Sequence, residues 1–276
     1  MYHIKIKFMK IKILIHTLGR INNQLTYSFV PNKLKKNVYF VVSKKEAKSH
    51  KKLGRKIIIC PLQGKTGLNA VRDWMMEYAY RKGMKYVVMA DDDVRFYKTK
   101  DTRKIPLRKK SFYKILNKIE KYLKDYVQVG LLPRWQFHKG RTNPVINSRL
   151  ICFVGYNVKA FHKSKAKFTK DMTTPTLGDV NISLQLLTSG YQNLMITKYA
   201  FESSKVNSEG GCSTYRTYKM SKRAAKDIEK AYPDFAKAIE RKGGSWENFG
   251  KKSKYVSTFI RWKKAYKSSK HQVFLR

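Results

Sequence analysis

The sequence predicts an α/β fold, a mostly parallel sheet flanked by helices, and three observations predict it. Four short apolar runs lie in the first hundred residues. Each is continuous and β-branched rather than alternating, the pattern of strands buried on both faces. An amphipathic helical stripe separates the third run from the fourth. Strands alternating with helices pair in parallel through right-handed crossovers. Ligands of such sheets sit beyond the carboxyl ends of the strands.

The elements follow in order. Met1 to His16 alternates Ile and Lys (Ile4-Lys5-Ile6-Lys7, then Lys10-Ile11-Lys12-Ile13), which is strand periodicity and not the unbroken apolar stretch of a signal peptide. Met9 is an alternative start, which makes residues 1–8 an extension or an extra edge strand. Lys10–His16 is the first run, closed by Thr17-Leu18-Gly19-Arg20; Asn37–Ser43, Lys56–Cys60 and Tyr86–Ala90 are the others. Leu68, Val71, Trp74, Met75, Tyr78 and Ala79 recur at helical spacing, and Gly83 stops that helix. Further on, Ser111–Tyr126 reads as a helix, Val127–Leu132 and Leu150–Val154 as strands, Gly178–Ser189 as a helix ended by Gly190, and Asn193–Thr197 as a strand. From Tyr218 onward the chain reads as helical and basic, broken at Pro233. Residues 1–215 are therefore expected to form the α/β domain, and 216–276 a basic helical C-terminal region packed on it.

Composition narrows the function. The 276 residues carry 61 Lys+Arg against 18 Asp+Glu, a formal charge of +43. An apolar share of 42% with 13% aromatics is enough for a core, which excludes a disordered basic tail. A compact chain this positive repels itself unless something anionic meets it. Nucleic acid is the first candidate, an anionic membrane surface the second, an acidic polymer the third. Lysines outnumber arginines 46 to 15. An A-rich coding genome accounts for part of that excess but not for the scarcity of acids. No run has the length of a membrane helix. Cys60, Cys152 and Cys212 lie far apart, which argues for a reducing cytoplasm and against a zinc or disulfide frame.

The acids are concentrated where chemistry is expected. Asp91-Asp92-Asp93 follows the fourth strand directly. Adjacent carboxylates in a ligand crevice repel one another and lose solvation, and a divalent cation relieves both costs. Mg²⁺ or Mn²⁺ is held by one or two carboxylates plus substrate phosphates. The plainer reading is a solvated acidic turn or a helix cap partnered by lysines.

The ordered set carries a resemblance. It runs Thr17-x-Gly19-Arg20, then Gly67 and Arg72 leading a helix, then Asp91-Asp92-Asp93, then Gly178-Asp179-x-x-x-Ser183-Leu184-x-x-Leu187, then Glu209-Gly210-Gly211-x-x-x-Tyr215-Arg216. Over roughly residues 9–216 it resembles nucleotide-sugar glycosyltransferases of the GT-A type, a Rossmann-like fold. Within them it is most similar to the phage TET-associated glycosyltransferases, thought to add sugars to 5-hydroxymethylated pyrimidines of DNA. The resemblance implies a hexosyl transfer from a nucleotide-diphosphate sugar, a UDP-sugar first among them, with Mn²⁺ or Mg²⁺, in the cytoplasm (the host's, if the protein is viral).

It also implies roles. Thr17, Gly19 and Arg20 would meet the nucleotide, Gly19 by allowing close backbone approach and Arg20 by a forked donor to phosphate. Arg72 would face the diphosphate or the acids. Asp93 would hold the metal with Asp91, and Asp91 and Asp92 would border the donor. Asp179 would act as base. The family often has Glu-Asp where this chain has Gly178-Asp179, and an Asp opening a helix is also ordinary N-capping. Asn207, Ser208, Gly210 and Gly211 read as a closing loop or a simple turn, with Tyr215 and Arg216 reaching phosphate.

Other signals are weaker. Gly64-Lys65-Thr66 is no phosphate-binding loop, since Ile59 stands where that motif needs glycine. The six histidines have no ligand spacing, and His16 reads as a packed strand-end residue. Pro133-Arg134-Trp135-Gln136-Phe137-His138 reads either as packing or as a contact to a sugar or base. Lys263 and Lys264 beside Trp262 read as a solvated face or a DNA-tracking one. The alternatives are a glycosyltransferase of polysaccharide, lipid or protein, and a nucleic-acid-binding protein or metal nuclease.

Overall fold

The structure, a computed structural model, describes residues 9–100, 103–136, 143–204, 211, 215–242 and 254–275. Its strands are β1 Ile11–His16, β2 Val38–Val42, β3 Ile57–Ile59, β4 Tyr86–Ala90, β5 Arg95–Lys100, β6 Arg103–Pro106, β7 Gln128–Pro133, β8 Val145–Ile146, β9 Phe153–Asn157, β10 Asn193–Glu202, β11 Ala236–Lys242 and β12 Lys254–Ile260. Its helices are α1 Leu25–Phe29, α2 Asn32–Lys35, α3 Lys44–Lys52, α4 Leu68–Arg81, α5 Phe112–Tyr122, α6 Val158–Ser164, α7 Gly178–Thr188, α8 Tyr218–Ala231 and α9 Trp262–Lys267.

The main sheet runs β3-β2-β1-β4-β9-β7-β10-β5-β6, with β8 also on β10. The first four strands pair in parallel, and so do β7 and β10. β9 is antiparallel to both β4 and β7, so β4 and β7 point the same way. β5 and β8 reverse against β10. The sheet is thus mixed but mostly parallel in direction.

Burial explains the continuous apolar runs. Ile11, Ile13, Ile15, Val88 and Ala90 enter one core with Phe112, Ile115 and Ile119 of α5. Leu14, Val87 and Met89 enter the opposite core with Val71, Met75 and Ala79 of α4 and Ile182 and Leu186 of α7. Both faces are covered, so both sets of alternating positions are mostly apolar, although β1 also carries Lys12 and His16.

Two sequence expectations need correction, and one hairpin was not expected. The strand expected at Leu150–Val154 is β9, three residues later and reversed. At Gly155 in β9 a Cβ would lie 2.4 Å from Ile119 Cγ2, so the strand needs glycine to let α5 approach. The charged hairpin β5–β6, next to the acidic triplet, has no apolar run to announce it. The C-terminal region is not wholly helical: β11 and β12 form an antiparallel hairpin between α8 and α9. Lys, Arg and Ala favour helix locally, but Tyr255, Val256, Thr258, Phe259 and Ile260 favour strand. This region does pack on the α/β body, through Ile228, Ala236, Ala265 and Tyr266 against Val180, Leu184 and Leu187 of α7. Residues 1–8, Phe137, His138, Asn207, Ser208, Glu209, Gly210 and Cys212 lie outside the described residues.

Candidate active site

Thr17, directly after β1, is a hub. Its hydroxyl donates to Asp92 Oδ2 and accepts from Gln24 Nε2 at 2.9 Å, and its carbonyl accepts from Gln63 Nε2 at 2.7 Å. Gly19 turns the chain at φ +72°, and its N–H donates to Glu46 Oε1 at 2.8 Å. Arg20 then folds back so that one Nη1 meets Asp92 Oδ1 at 2.8 Å and Asp93 Oδ2 at 3.0 Å.

From the other side of the triplet, Arg72 on α4 reaches Asp91 Oδ1 at 2.9 Å. His16 Nε2 meets the same oxygen at 3.0 Å. His16, expected as packing, therefore joins the acidic cluster. Burial pushes the Asp91 carboxyl up, but the His16 hydrogen bond and the Arg72 charge outweigh it, leaving Asp91 well below the usual carboxylate range. Asp93 goes the other way. Burial and then the like charges of Asp91 and Asp92 push it up to about 6 against the pull of Arg20. The Cys152 thiol, buried beside Asp91, is pushed well up.

Asp179 arrives on α7. Leu177, at φ +57°, is the N-cap residue, and its side chain makes no capping bond. Asp179 is the second helical residue, and its Oδ2 pairs with Arg149 Nε at 2.5 Å. The capping reading is thus replaced by an ion pair. Two glycines let this segment lie against α4. A Cβ at Gly67 would fall 1.9 Å from Pro175 Cβ, and one at Gly178 2.1 Å from Asn69 Oδ1. Position 178 therefore has no room for a side chain, because Asn69 fills that space. The Gly211 N–H donates to Leu18 O at 3.1 Å, and a Cβ there would stand 3.6 Å from the Arg20 guanidinium.

These groups line one cavity of about 400 Å³ at the carboxyl end of the sheet. Thr17, Arg20, Arg72, Asp91, Asp92, Asp93, Asp179, Gly211 and Arg216 all line it. Gly19 does not, since its N–H is committed to Glu46 and it serves the turn that aims Arg20. Arg216 Nε is buried with no hydrogen-bond partner among the described residues. Sequence reasoning missed Arg149, Gln24, Gln63 and Asn69. The signal for Arg149 was its type: arginine is the rarer cation here, and the cavity collects four of the 15 (Arg20, Arg72, Arg149 and Arg216).

The donor chemistry decides whether a divalent cation fits. Among the described residues, no three His, Cys, Asp or Glu converge as a cage. Asp93 nevertheless is buried beside the like charges of Asp91 and Asp92, and its pairing with Arg20 offsets only part of that cost. Such a carboxylate fits a hard cation that arrives on a diphosphate and takes one or two protein oxygens. Forked guanidiniums around it fit the phosphates. Among the described residues, no helix is long and apolar enough to cross a membrane.

The family model described as TET-Associated Glycosyltransferase matches residues 11–211. No curated protein matches the chain. Among solved structures, GalNAc-T7 with UDP, GalNAc and Mn²⁺ aligns at 11% identity and a TM-score of 0.47, covering 70% of this chain and 43% of that one. A mannose-1-phosphate geranyltransferase from Thermus thermophilus aligns at 8% identity and 0.43, covering 70% and 76%. A CMP:2-keto-3-deoxy-manno-octonic acid synthetase complexed with CTP aligns at 11% and 0.42, covering 68% and 89%. Likeness this distant assigns no ligand to the chain.

Proposed function

Because the chain belongs to the TET-associated glycosyltransferase family, and so is a glycosyltransferase, we propose that it moves a sugar from a nucleotide-diphosphate sugar to the hydroxyl of a 5-hydroxymethylated pyrimidine in DNA. The observation that carries this reading is the cavity in which four arginines and four carboxylates converge at the carboxyl end of the sheet.

Thr17, Gln63 and Gly64 border the β1 end of the cavity and would receive the nucleoside. Arg20, Arg72 and Arg216 would hold the diphosphate, Arg216 through an N–H that is buried and waiting for an acceptor. Asp93, with Asp91 beside it, would hold Mn²⁺ or Mg²⁺, whose charge, when bound, favours departure of the diphosphate. The acceptor oxygen forms a bond to the anomeric carbon as the bond from that carbon to the diphosphate breaks. Asp179 takes the hydroxyl proton, and the diphosphate leaves with the electron pair. Arg149 keeps the Asp179 carboxylate fixed in the cavity. A base of this kind works by position, within hydrogen-bond reach of the hydroxyl. A direct displacement of this kind inverts the anomeric centre.

The +43 charge supports the DNA acceptor. The 5-hydroxymethyl group projects into the major groove, and phosphate contacts would dominate affinity. The test is to incubate the protein with Mn²⁺, a panel of nucleotide sugars and either hydroxymethylated or unmodified DNA, then digest and weigh the nucleosides. A heavier hydroxymethyl nucleoside, absent from the unmodified arm, is expected. Unchanged nucleosides across the panel would reject the DNA acceptor.

A further inference from the structure

One residue on the cavity wall has no part in the chemistry above. Trp135 follows β7, lines the cavity with the acidic triplet and Asp179, and is 58% exposed. A tryptophan is rarely left this open, since its ring carries a large hydrophobic area.

Its position is fixed. The ring meets Phe201 edge to face at 6.0 Å between centroids. Arg134, its neighbour, is ion-paired with Glu202 and lies over the Tyr97 ring at 5.1 Å. Tyr97 donates to Glu202 Oε2 at 2.8 Å. The turn carrying Trp135 is thus tied to both β10 and β5, and the ring is presented to the cavity with little entropy left to lose.

Its place in the sheet says what it faces. The nucleoside end is at β1, the triplet follows β4, and Trp135 follows β7, three strand spacings from β1. Three spacings are roughly 14 Å, enough to put a nucleoside diphosphate on one side of the triplet and an acceptor on the other. Beyond Trp135, the hairpin β5–β6 carries cations on both of its faces, Arg95 and Lys104 on one and Lys98 and Arg103 on the other, and Arg95 is the register partner of Glu202. An aromatic plane next to a basic strand pair is a pairing that binds an unstacked nucleotide, with the base on the ring and the backbone on the charges.

We propose that Trp135 is the platform on which the acceptor base stacks after leaving its helix, while its strand lies along β5–β6. This deepens the proposed DNA-glycosylating function and rests on it. It also implies that single-stranded or mismatched acceptors, which need no unstacking energy, are used more readily than matched duplex.

The experiment compares wild type, Trp135→Ala and Trp135→Phe in two arms. The first measures KM for a hydroxymethylated single-stranded oligonucleotide and KM for the donor. Trp135→Ala should raise the acceptor KM by about 5- to 100-fold, the range of one lost base stack. Trp135→Phe should recover most of that, and the donor KM should stay within twofold in both. An unchanged acceptor KM, or a donor KM that rises as much, would overturn the proposal, the latter by giving Trp135 to the donor sugar. The second arm titrates unmodified single-stranded oligonucleotide and reads the fluorescence difference between wild type and Trp135→Phe. Quenching of that difference signal supports the platform even if no sugar transfer to DNA is found. No quenching overturns it whatever the enzyme's acceptor.

Discussion

The two ends of the sheet divide the basic residues between them. The cavity at the carboxyl end, about 400 Å³, is lined among the described residues by Arg20, Arg72, Arg149 and Arg216 and by no lysine. The cavity at the opposite end, about 870 Å³, is lined by Lys85, Lys121, Lys124 and Lys159 and by no arginine. In a chain with 46 lysines and 15 arginines, four lysines without an arginine are ordinary, but four arginines without a lysine are not what chance would give. Arginine presents a planar fork of fixed geometry, and lysine a hydrated point charge on a flexible stem. The first end is therefore built to hold particular oxygens, and the larger second cavity to offer diffuse positive potential. Codon bias can add lysines anywhere; it does not gather arginines around three aspartates.

The comparison can be broken most forcefully at Asp179. Asp179→Asn keeps the shape and removes the proton acceptor, so kcat should fall by about 10²–10⁴-fold with donor affinity retained. A loss under tenfold would remove Asp179 from the chemistry.

Asp93→Asn tests the cost of burying that carboxylate beside Asp91 and Asp92. Asp93 is raised to about 6 in the folded protein, above its ordinary value near 4. Between those values the folded chain holds more protons than the unfolded one, so this group's share of stability falls as pH rises from about 4 to 6. Without metal, the variant should match wild type below pH ~4 and be more stable above ~6, by at most about 3 kcal/mol. Denaturant midpoints at both pH values decide it, and equal stability at pH 7 would show that cost to be fully offset.

Gly178→Ala places a methyl on Asn69 and should cost roughly 1–3 kcal/mol. Asn69→Ala in the same chain should restore much of it, which a double-mutant cycle would detect. Strictly additive losses would mean that the two residues do not share that space.

The smallest effect is expected at the lysine end. Lys121→Glu with Lys124→Glu should leave kcat unchanged at saturating acceptor and weaken DNA binding only a few-fold, with a shallower salt dependence. A large fall in kcat would erase the distinction between the two ends.

Much of this was legible in the sequence. β1, β2 and β4 were readable because both of their faces are largely buried, and nothing polar interrupts Tyr86–Ala90; β3 was readable from three successive isoleucines, although Ile59 is exposed. Asp91, Asp92 and Asp93 stood out because acids are scarce and the triplet ends such a strand. β5, β6 and β11 were hidden because their charged residues also read as helix or loop; β6, at the sheet edge, and β11, in a two-stranded hairpin, carry the charges that discourage further pairing. Arg149 was hidden because its partner Asp179 is 30 residues away, a contact that only the turn of α7 creates. Gly178 looked like a departure from pattern, and only the fold shows that Asn69, on another helix, leaves no room there for a side chain.

The division between the two ends is tested most directly by calorimetric titration of nucleotide sugars with Mn²⁺ into wild type and Arg216→Lys. Arg216 has a buried Nε with no partner among the described residues, so lysine keeps the charge and removes only that forked donor. Heat on titrating a nucleotide sugar into wild type, with a Kd roughly tenfold weaker in the variant, is the predicted result. Equal affinity in the two proteins would contradict it, because charge alone would then suffice and the gathering of arginines would have no bearing on the donor.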